Sequence, residues 1–518
     1  MSQDRDLRDM TAWDPENTKQ WDTWGKRVGW RNLMLSVPAL ACGFGVWMYW
    51  SIITTQMQKL GIAFDPDPGR NKELLYVLMS IAGLSGATLR IPNSFFIALS
   101  GGRNVISVTT ALLILPALGV GLALQDPKTS YATYTILAGL SGFGGGAFAS
   151  SMSNISAFFP KRMQGLALGL NAGVGNLGVS LMQVLIPWVM SVGLFGALGG
   201  EGRVFSGGVS FIQNAGLVWV PILAVLAIAA WLGMDNLPRL NVGPAPVAIA
   251  KMLWLTVLGL VGAGAGLYLL VGLKLNMWLV LVVTIALTLL LMRTLTPASV
   301  RQNLAGQFRI FSEKHNWVMT VLYVMTFGSF IGYSAAFPKL IQDVFGSLPG
   351  GLPNPNAPNP MAYAWLGPLV GSLVRPIGGW MSDKWGGARV TQWATVVMVG
   401  AALGAAYFVK AAGAAAAPET QFVPFLLVFL LLFITTGIGN GSTFRMIPII
   451  FPKDLAGPVL GWTSAVAAYG AFIIPVIFGA QIKAKTPEVA LYGFTAYYLV
   501  CLVVNWWFYA RKGAEIRC

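Results

Sequence analysis

Two arginines interrupt long apolar stretches of this chain, and neither stretch contains a carboxylate. They are Arg90 and Arg375. A charged side chain at the centre of a bilayer costs about 2.5–3.5 kcal/mol on insertion scales, so its presence there indicates a function. The guanidinium group is planar and permanently charged, and its forked donors match small oxyanions. The two arginines therefore predict a site for an anion that binds and leaves. The alternative is that they snorkel to an interface or bond backbone carbonyls.

The composition places such a site in a membrane. The chain is 55% hydrophobic and 10% charged, whereas soluble domains carry about 25% charged residues. About 20 apolar residues are needed to cross a bilayer as a helix. Fourteen segments meet this description: 32–57, 74–99, 104–124, 131–159, 165–195, 211–234, 247–272, 276–293, 316–338, 361–381, 388–411, 421–450, 456–482 and 489–510. The sequence predicts an all-α polytopic membrane protein.

The charged residues predict how the chain is oriented. Residues 1–31 hold several carboxylates and no apolar core, so they do not read as a signal peptide. Their tryptophans (Trp13, Trp21, Trp24 and Trp30) predict a short segment at the membrane surface. The alternative is an ordered tail without a function. Lys and Arg are in excess in the loops on the side of the N-terminus, which predicts that both termini are cytoplasmic. This anchoring accounts for the net charge of +15, and no basic soluble domain is present to bind nucleic acid.

The chain also repeats itself. Arg90 precedes Gly101 by 11 residues, and Arg375 precedes Gly386 by 11 residues. Two parallel repeats with a substrate site between them are typical of major facilitator transporters. The predicted organisation is a cytoplasmic segment, a six-helix bundle, an insert with a membrane hairpin, and a second six-helix bundle. Their limits are 1–31, 32–240, 241–312 and 313–518, and the hairpin occupies 247–293.

The second half carries a further sign of this superfamily. Residues 379–389 read GWMSDKWGGAR, which resembles the superfamily's cytoplasmic loop motif. Asp383 is expected to pair with a basic group or a helix N-terminus across the bundle interface when that face is closed. Arg389 ends the motif. The alternative is an ordinary solvated turn. The first half has only Ser100 to Arg103 at this place, without the aspartate.

Longer motifs resemble one branch of the superfamily, the NarK-type nitrate/nitrite porters. GGGAFASSMSNISAFFPKRMQGLALGLNAGVGNLGVSLMQ (144–183) is similar to the first signature of that family, and GIGNGSTFRMIPIIF (437–451) to the second. ATLRIPNSF (87–95), LYVMTFGSFIGYSAAF (322–337) and GSLVRPIGGWMSDKWGG (371–387) match three core helices. The resemblance covers nearly the whole chain except the hairpin. It implies a secondary transporter for nitrate assimilation or respiration, and not an enzyme.

The resemblance also implies a substrate site and a set of moving parts. The residues that carry over to the anion are Arg90, Arg375, Asn176, Tyr323, Phe148, Phe327, Gly439 and Ser442, with Trp50 as the aromatic of the first helix. Gly165, Gly169 and Gly173 recur every four residues on one helix face. Small residues let helices approach and slide, so these glycines are expected to serve gating together with Asp383 and Arg389. Aromatic and glycine positions of this kind are otherwise often static packing.

The mode of coupling follows from what the membrane centre contains. All 19 Asp and Glu fall in tails, loops or segment ends, and the single histidine, His315, precedes a span. A proton-coupled carrier needs a titratable group along the path. Two uncompensated arginines also resist closure into a dry state unless an anion offsets them. We therefore expect exchange of nitrate for nitrite. The alternatives are nitrate–proton symport, with Tyr323 as a proton path, and an anion sensor or channel without turnover.

The expected partners are few. Nitrate, nitrite and the lipid bilayer are predicted to contact the chain, and we expect a monomer to be functional. The three cysteines have no metal-binding spacing. No cofactor or metal is expected.

Overall fold

Fourteen long helices make up most of the computed structural model, which describes residues 10, 13–240 and 242–518. They are α1 Thr18–Lys59, α2 Pro68–Asn93, α3 Gly102–Gln125, α4 Tyr131–Phe158, α5 Lys161–Met190, α6 Asn214–Gly233, α7 Ala245–Gly272, α8 Met277–Thr294, α9 Lys314–Phe345, α10 Leu366–Trp385, α11 Gly387–Ala414, α12 Pro418–Ile450, α13 Leu455–Lys483 and α14 Pro487–Ala510. A small antiparallel hairpin pairs β1 Arg203–Phe205 with β2 Gly208–Ser210.

The helices that carry the arginines begin and end at clear local signals. The side chain of Asp67 caps α2 by accepting from the backbone N–H groups of Gly69 and Arg70. The turn from α2 to α3 passes through Gly101 with φ +77°, and α10 meets α11 at Gly386 with φ +87°. Both glycines hold a left-handed backbone that other residues adopt at a cost. The repeat seen in the sequence is therefore also a repeat of turn geometry.

Two helical bundles face each other. The first contains α1–α6 and the second α9–α14, and α2 packs against α13 across the boundary. A Cβ atom on Gly83 of α2 would lie only 2.2 Å from the carbonyl oxygen of Ala471 on α13. The hairpin α7–α8 lies beside α2, where a Cβ on Gly259 of α7 would be 2.9 Å from the Leu89 side chain. The hairpin thus supports the helix that carries Arg90.

The N-terminal region differs from the predicted surface segment. α1 begins at Thr18 and runs without a break into the first predicted span. The Trp21 side chain is 2% exposed and packs on Phe159, with 5.5 Å between ring centroids. Trp13 packs on Phe158 at 5.6 Å. Trp13 and Trp21 are buried because Phe158 and Phe159, at the end of α4, pack against them, and periodicity within residues 1–31 could not reveal this contact.

Fewer than the fourteen predicted segments combine the length and the apolar composition that a membrane span needs. Twelve helices in the described residues are long and apolar enough to cross a membrane. α4 and α10, with 28 and 20 residues, have sufficient length but are diluted by glycine, serine and other polar positions. The prediction of fourteen spans stays a prediction. α9 also continues to Phe345, beyond the predicted end at 338, and thereby carries Lys339 and Asp343 into the protein interior.

The hairpin can be tested by labelling. Its link, residues 273–276, joins α7 to α8, and we expect it to lie outside the cell. A cysteine placed at Leu275, in a variant lacking Cys42, Cys501 and Cys518, should react with an impermeant maleimide in intact cells. A cysteine at Lys161 is the matched control and should react only after the membrane is broken. Labelling of position 275 only after lysis would contradict a membrane-crossing hairpin.

Candidate functional site

Arg90 lies fully buried on α2 and contacts both bundles. Its Nε donates to the carbonyl oxygen of Gly145 on α4 at 3.0 Å, and one terminal nitrogen donates to the carbonyl oxygen of Ser464 on α13 at 3.2 Å. The first contact requires glycine on α4, because a Cβ on Gly145 would lie 2.6 Å from the Trp47 ring. The glycine-rich signature therefore brings a backbone acceptor to the arginine.

Aromatic rings enclose the same guanidinium. Its central carbon lies 4.8 Å from the ring centroid of Phe148, 5.4 Å from that of Phe327 and 5.5 Å from that of Trp47. These distances are those of cation–π contacts, which strengthen when water is excluded. Phe148 and Trp47 belong to the first bundle and Phe327 to the second. The rings fix the plane of the guanidinium without neutralising its charge.

Arg375 occupies the corresponding position on α10 of the second bundle. It is 6% exposed, and one terminal nitrogen donates to the hydroxyl oxygen of Tyr323 at 3.4 Å. Its central carbon lies 5.5 Å from the Phe444 ring centroid. Tyr323 stacks on Phe327 with 5.7 Å between centroids. A continuous series of rings thus joins the surroundings of the two arginines.

The electrostatics of the pair favour an anionic ligand. The hydrogen-bond partners of Arg90 and Arg375 among the described residues are carbonyl groups and a phenol, all neutral. Each arginine also keeps one buried terminal nitrogen without an acceptor in the described protein. The two guanidiniums carry charge of the same sign and are connected by the stacked rings of Phe327 and Tyr323. Buried donors without partners are costly, so a small oxyanion that accepts from both would relieve both penalties.

A π-helical turn in α9, Val324–Gly328, carries Phe327, the ring of the second bundle that contacts Arg90. Turns of this kind are rare and occur often at functional sites, because the extra residue redirects side chains. α12 packs closely on the turn: a Cβ on Gly439 would lie 2.7 Å from the Thr326 side chain. Gly439 is thus placed as a contact between α12 and the turn that bears Phe327.

The remaining predicted ligands have different surroundings. Asn176 on α5 is buried, and neither atom of its amide has a hydrogen-bond partner in the described protein. The Ser442 hydroxyl lies 2.7 Å from that of Thr391 on α11 and donates to the Gly439 carbonyl oxygen at 3.0 Å. Ser442 is thus engaged inside the second bundle, and its hydrogen-bond partners among the described residues do not include either arginine.

Four contacts of the arginines were not predicted, and the Gly145 carbonyl oxygen described above is one of them. Trp47, one helical turn before Trp50, contacts Arg90, whereas the Trp50 indole nitrogen donates to Ser141 at 3.0 Å within the first bundle. Phe444 lies in the second signature, so the resemblance already contained a signal for it. Ser464 acts through its backbone carbonyl, and a side-chain pattern carries no information about such a contact.

The predicted gating residues that the structure describes are two glycines with open space beside them and two charged residues of the second bundle. A Cβ on Gly169 or Gly173 would meet nothing within 4 Å, so these glycines do not mediate close helix packing here. The packing around Gly165 lies outside the described part of α5. Asp383 accepts from Arg445 at 2.6 Å, and both side chains are exposed and belong to the second bundle. A contact of Asp383 across the interface was expected when that face is closed, and it stays a prediction; here Asp383 pairs with Arg445 in its own bundle. Arg389 is exposed at the start of α11.

One end of the bundle interface is closed by polar contacts. The Asp343 carboxylate of α9 accepts from the Gln58 amide at 3.0 Å and lies 3.4 Å from the Lys72 amine, both in the first bundle. Lys339, fully buried, donates to Asp343 at 2.8 Å and also bonds Gln58. A separate pair joins Lys483 of α13 to Glu73 of α2 at 3.0 Å.

The opposite end contains a cavity between the bundles. Its volume is about 300 Å³, and its lining includes Ser153 and Gly457 near the loops and Phe148, Phe444 and Ser464 at depth. The last three residues are the ones that contact Arg90 or Arg375. The lining of the cavity therefore reaches the groups that contact the two arginines, and polar contacts join the bundles at the other end.

This architecture is that of a transporter of the major facilitator superfamily. The chain is similar to the partially occluded, inward-open xylose transporter XylE of E. coli, with a TM-score of 0.55 and 13% identity over 92% of this chain and 99% of that one. An auto-inhibited peptide transporter of the POT family gives a TM-score of 0.58 with 14% identity, covering 92% and 95%. At such identities the likeness shows the fold alone.

Sequence relatives are more specific. The chain is 36% identical to the "Probable nitrate/nitrite antiporter NarK2" of Thermus thermophilus over 515 residues, which cover 98% of both chains. It is 34% identical to the "Nitrate/nitrite transporter NarU" of Escherichia coli K12, covering 98% of this chain and 96% of that protein. No family model matches. The chain belongs to the NarK/NarU family of nitrate/nitrite transporters, and it is a multi-pass protein of the bacterial inner membrane.

The arginine pair makes a direct prediction. Arg90→Lys and Arg375→Lys should each lower nitrate transport at least about tenfold at normal membrane levels. Lysine keeps the charge but loses the planar fork, and one charge-assisted hydrogen bond contributes about 1.5–3 kcal/mol. Uptake of labelled nitrate into vesicles is the measurement. Arg309→Lys, a change at an exposed arginine, is the matched control. Near-normal uptake by either buried variant would contradict an arginine site.

Proposed function

We propose that the protein exchanges nitrate for nitrite across the inner membrane by alternating access, with the anion held between Arg90 and Arg375. The observation that carries the proposal is the pairing of two buried arginines, one from each bundle, with no neutralising carboxylate among their described contacts. The names of the relatives supply the class of anion. Nitrate and nitrite are small and planar, which suits two forked guanidiniums beside the rings of Phe148 and Phe327.

Further residues are assigned to the anion site as part of this proposal. The unpartnered amide of Asn176 supplies a donor or acceptor for an anion oxygen. The Tyr323 hydroxyl accepts a hydrogen bond from Arg375 and positions that guanidinium. Gly439 lets α12 approach the π-helical turn. Ser442 acts indirectly through Thr391, because its hydroxyl is already bonded there.

The described conformation is the inward-facing state in this proposal. Both termini are taken as cytoplasmic, so the cavity that includes Ser153 and Gly457 opens to the cytoplasm and the Asp343 cluster seals the outside. Gly169 and Gly173 of α5 have open space before them here. When the cytoplasmic side closes, these small residues allow α5 to approach the second bundle. The domain limits 32–240 and 313–518 then correspond to the two moving bodies.

Exchange follows from the charge of the empty site. Closing the cavity around two unpaired arginines removes them from water without compensation, which is unfavourable. A bound anion offsets that charge, so the loaded protein reorients more readily than the empty one. The protein must also carry an anion when it returns to its first state. The influx of one anion therefore depends on the efflux of another.

Counterflow in proteoliposomes tests the exchange. Vesicles preloaded with nitrite should take up external nitrate rapidly, and vesicles without internal anion substrate should not. Collapse of a proton gradient should leave the exchange rate unchanged. Uptake into nitrite-free vesicles that scales with an inward proton gradient would instead establish nitrate–proton symport. Nitrate-dependent flux without saturation or counterflow would indicate a channel.

The sealed end gives a second test of alternating access. Asp343→Asn leaves Lys339 buried without its counter-ion, and breaking a buried pair costs about 3–5 kcal/mol. The closed outer side should lose stability, and the outward-facing population should rise. A cysteine at Ser180, whose hydroxyl donates across the interface to the Trp365 carbonyl oxygen at 2.9 Å, reports this opening. Its labelling by an impermeant maleimide from outside should become faster.

The control removes both charges. In Lys339→Ala/Asp343→Ala no unpaired charge is left, so labelling at position 180 should increase less than in Asp343→Asn alone. Equal labelling rates in all three backgrounds would contradict the assignment of the Asp343 cluster as the outer seal.

A further inference from the structure

A second cavity lies away from the arginines, between the inserted hairpin and both bundles. Its volume is about 420 Å³, which is within the range of small-ligand sites. Leu74 and Val77 of α2, Leu270 of α7, and Val476 and Ile477 of α13 contribute apolar walls. It thus touches the first bundle, the hairpin and the second bundle at once.

Cationic groups lie at one end of this cavity. Lys274, in the link between α7 and α8, is exposed and has no ion-pair partner in the described protein. Arg70 at the start of α2 pairs with Glu73, which also accepts from Lys483 at 3.0 Å. The charged side chains that line the cavity are therefore two cations and one carboxylate. Lys483 and the Asp67 carboxylate lie one contact further away, so the local balance is one positive charge.

The depth of the cavity matches a membrane interface. The link joins two apolar helices at their ends, and α2 begins at the same level. Tyr268 and Trp278 flank the link and are 63% and 52% exposed. Exposed Trp and Tyr are enriched at the level of lipid head groups. The apolar walls extend from this level toward the bilayer centre, as an acyl chain does.

We propose that this cavity binds one acidic phospholipid of the outer leaflet, with its phosphate beside Lys274 and Arg70 and an acyl chain along α2 and α13. A lipid is favoured over a peptide or a second copy because the cavity combines a cationic end at interface level with an apolar body at membrane depth. The bound lipid bridges the two bundles close to the tight contact of α2 with α13. It therefore stabilises the conformation in which this cavity exists.

Native mass spectrometry with two variants tests the lipid site. The wild type in detergent should retain added phosphatidylglycerol in preference to phosphatidylcholine, and phosphatidylglycerol should raise its melting temperature. Ala480→Trp fills the cavity from α13, where Ala480 lines it and is exposed, and should abolish the retained lipid. Lys274→Ser should weaken phosphatidylglycerol binding about fivefold, since one surface cation contributes about 1 kcal/mol to binding an acidic lipid.

The controls separate this site from general surface charge. Lys128→Ser changes an exposed lysine in another link of the same side and should leave binding unchanged. Inorganic phosphate alone should not raise the melting temperature. The proposal is overturned if Ala480→Trp retains phosphatidylglycerol like the wild type. If Ala480→Trp does not fold, the same result with Lys274→Ser overturns it. It is also overturned if Lys128→Ser weakens binding as much as Lys274→Ser, if phosphate alone reproduces the stabilisation, or if a dimer of the chain occupies the cavity in place of lipid.

Discussion

Unneutralised positive charge in a membrane interior is the constraint on which the rest of this structure depends. Arg90 and Arg375 are buried and bonded only to neutral groups among the described residues, and each keeps an unused donor. Aromatic rings and backbone carbonyls make this arrangement tolerable, because they contact the guanidiniums without cancelling their charge. In the proposed function, these unused donors are the ones that an anion accepts from, and the energy of the site depends on whether an anion is bound.

The positions of the two arginines connect this local chemistry to the interface between the bundles. Arg90 donates to Gly145 in its own bundle and to Ser464 in the other, so one side chain spans the interface. Phe327 extends the same connection from the second bundle. An anion held by both arginines replaces or supplements such contacts. In the proposed cycle, relative movement of the bundles is therefore coupled to the occupancy of the site.

Much of this could be read from the sequence, because membrane helices leave strong patterns. Apolar length predicted the helices, and the spacing of Arg90 and Arg375 from Gly101 and Gly386 predicted a repeat that the turn geometry shares. The resemblance to the nitrate/nitrite porters named the family correctly. Local features were harder: the burial of Trp21 depends on Phe159, which is distant in the chain.

Other parts of the site had no signal in side-chain identity. Ser464 contributes a carbonyl oxygen, and the position of Phe327 depends on a π-helical turn rather than on regular helical spacing. The sequence placed Trp50 beside the anion, but the helix rotates Trp47 toward Arg90 instead. The partner of Asp383 is Arg445 within one bundle rather than a group across the interface. The sequence alone does not specify which basic group pairs with this aspartate.

The central claim is that an anion in the site permits the cavity to close, and a distance across the cytoplasmic ends tests it most directly. Spin labels at Lys161 and Lys384, one in each bundle, allow pulsed electron resonance to measure their separation in liposomes. Nitrate should shift the distribution toward shorter distances, and the shift should be absent in Arg375→Lys. A distribution that is the same with and without nitrate in the wild-type site, while transport proceeds, would contradict the account.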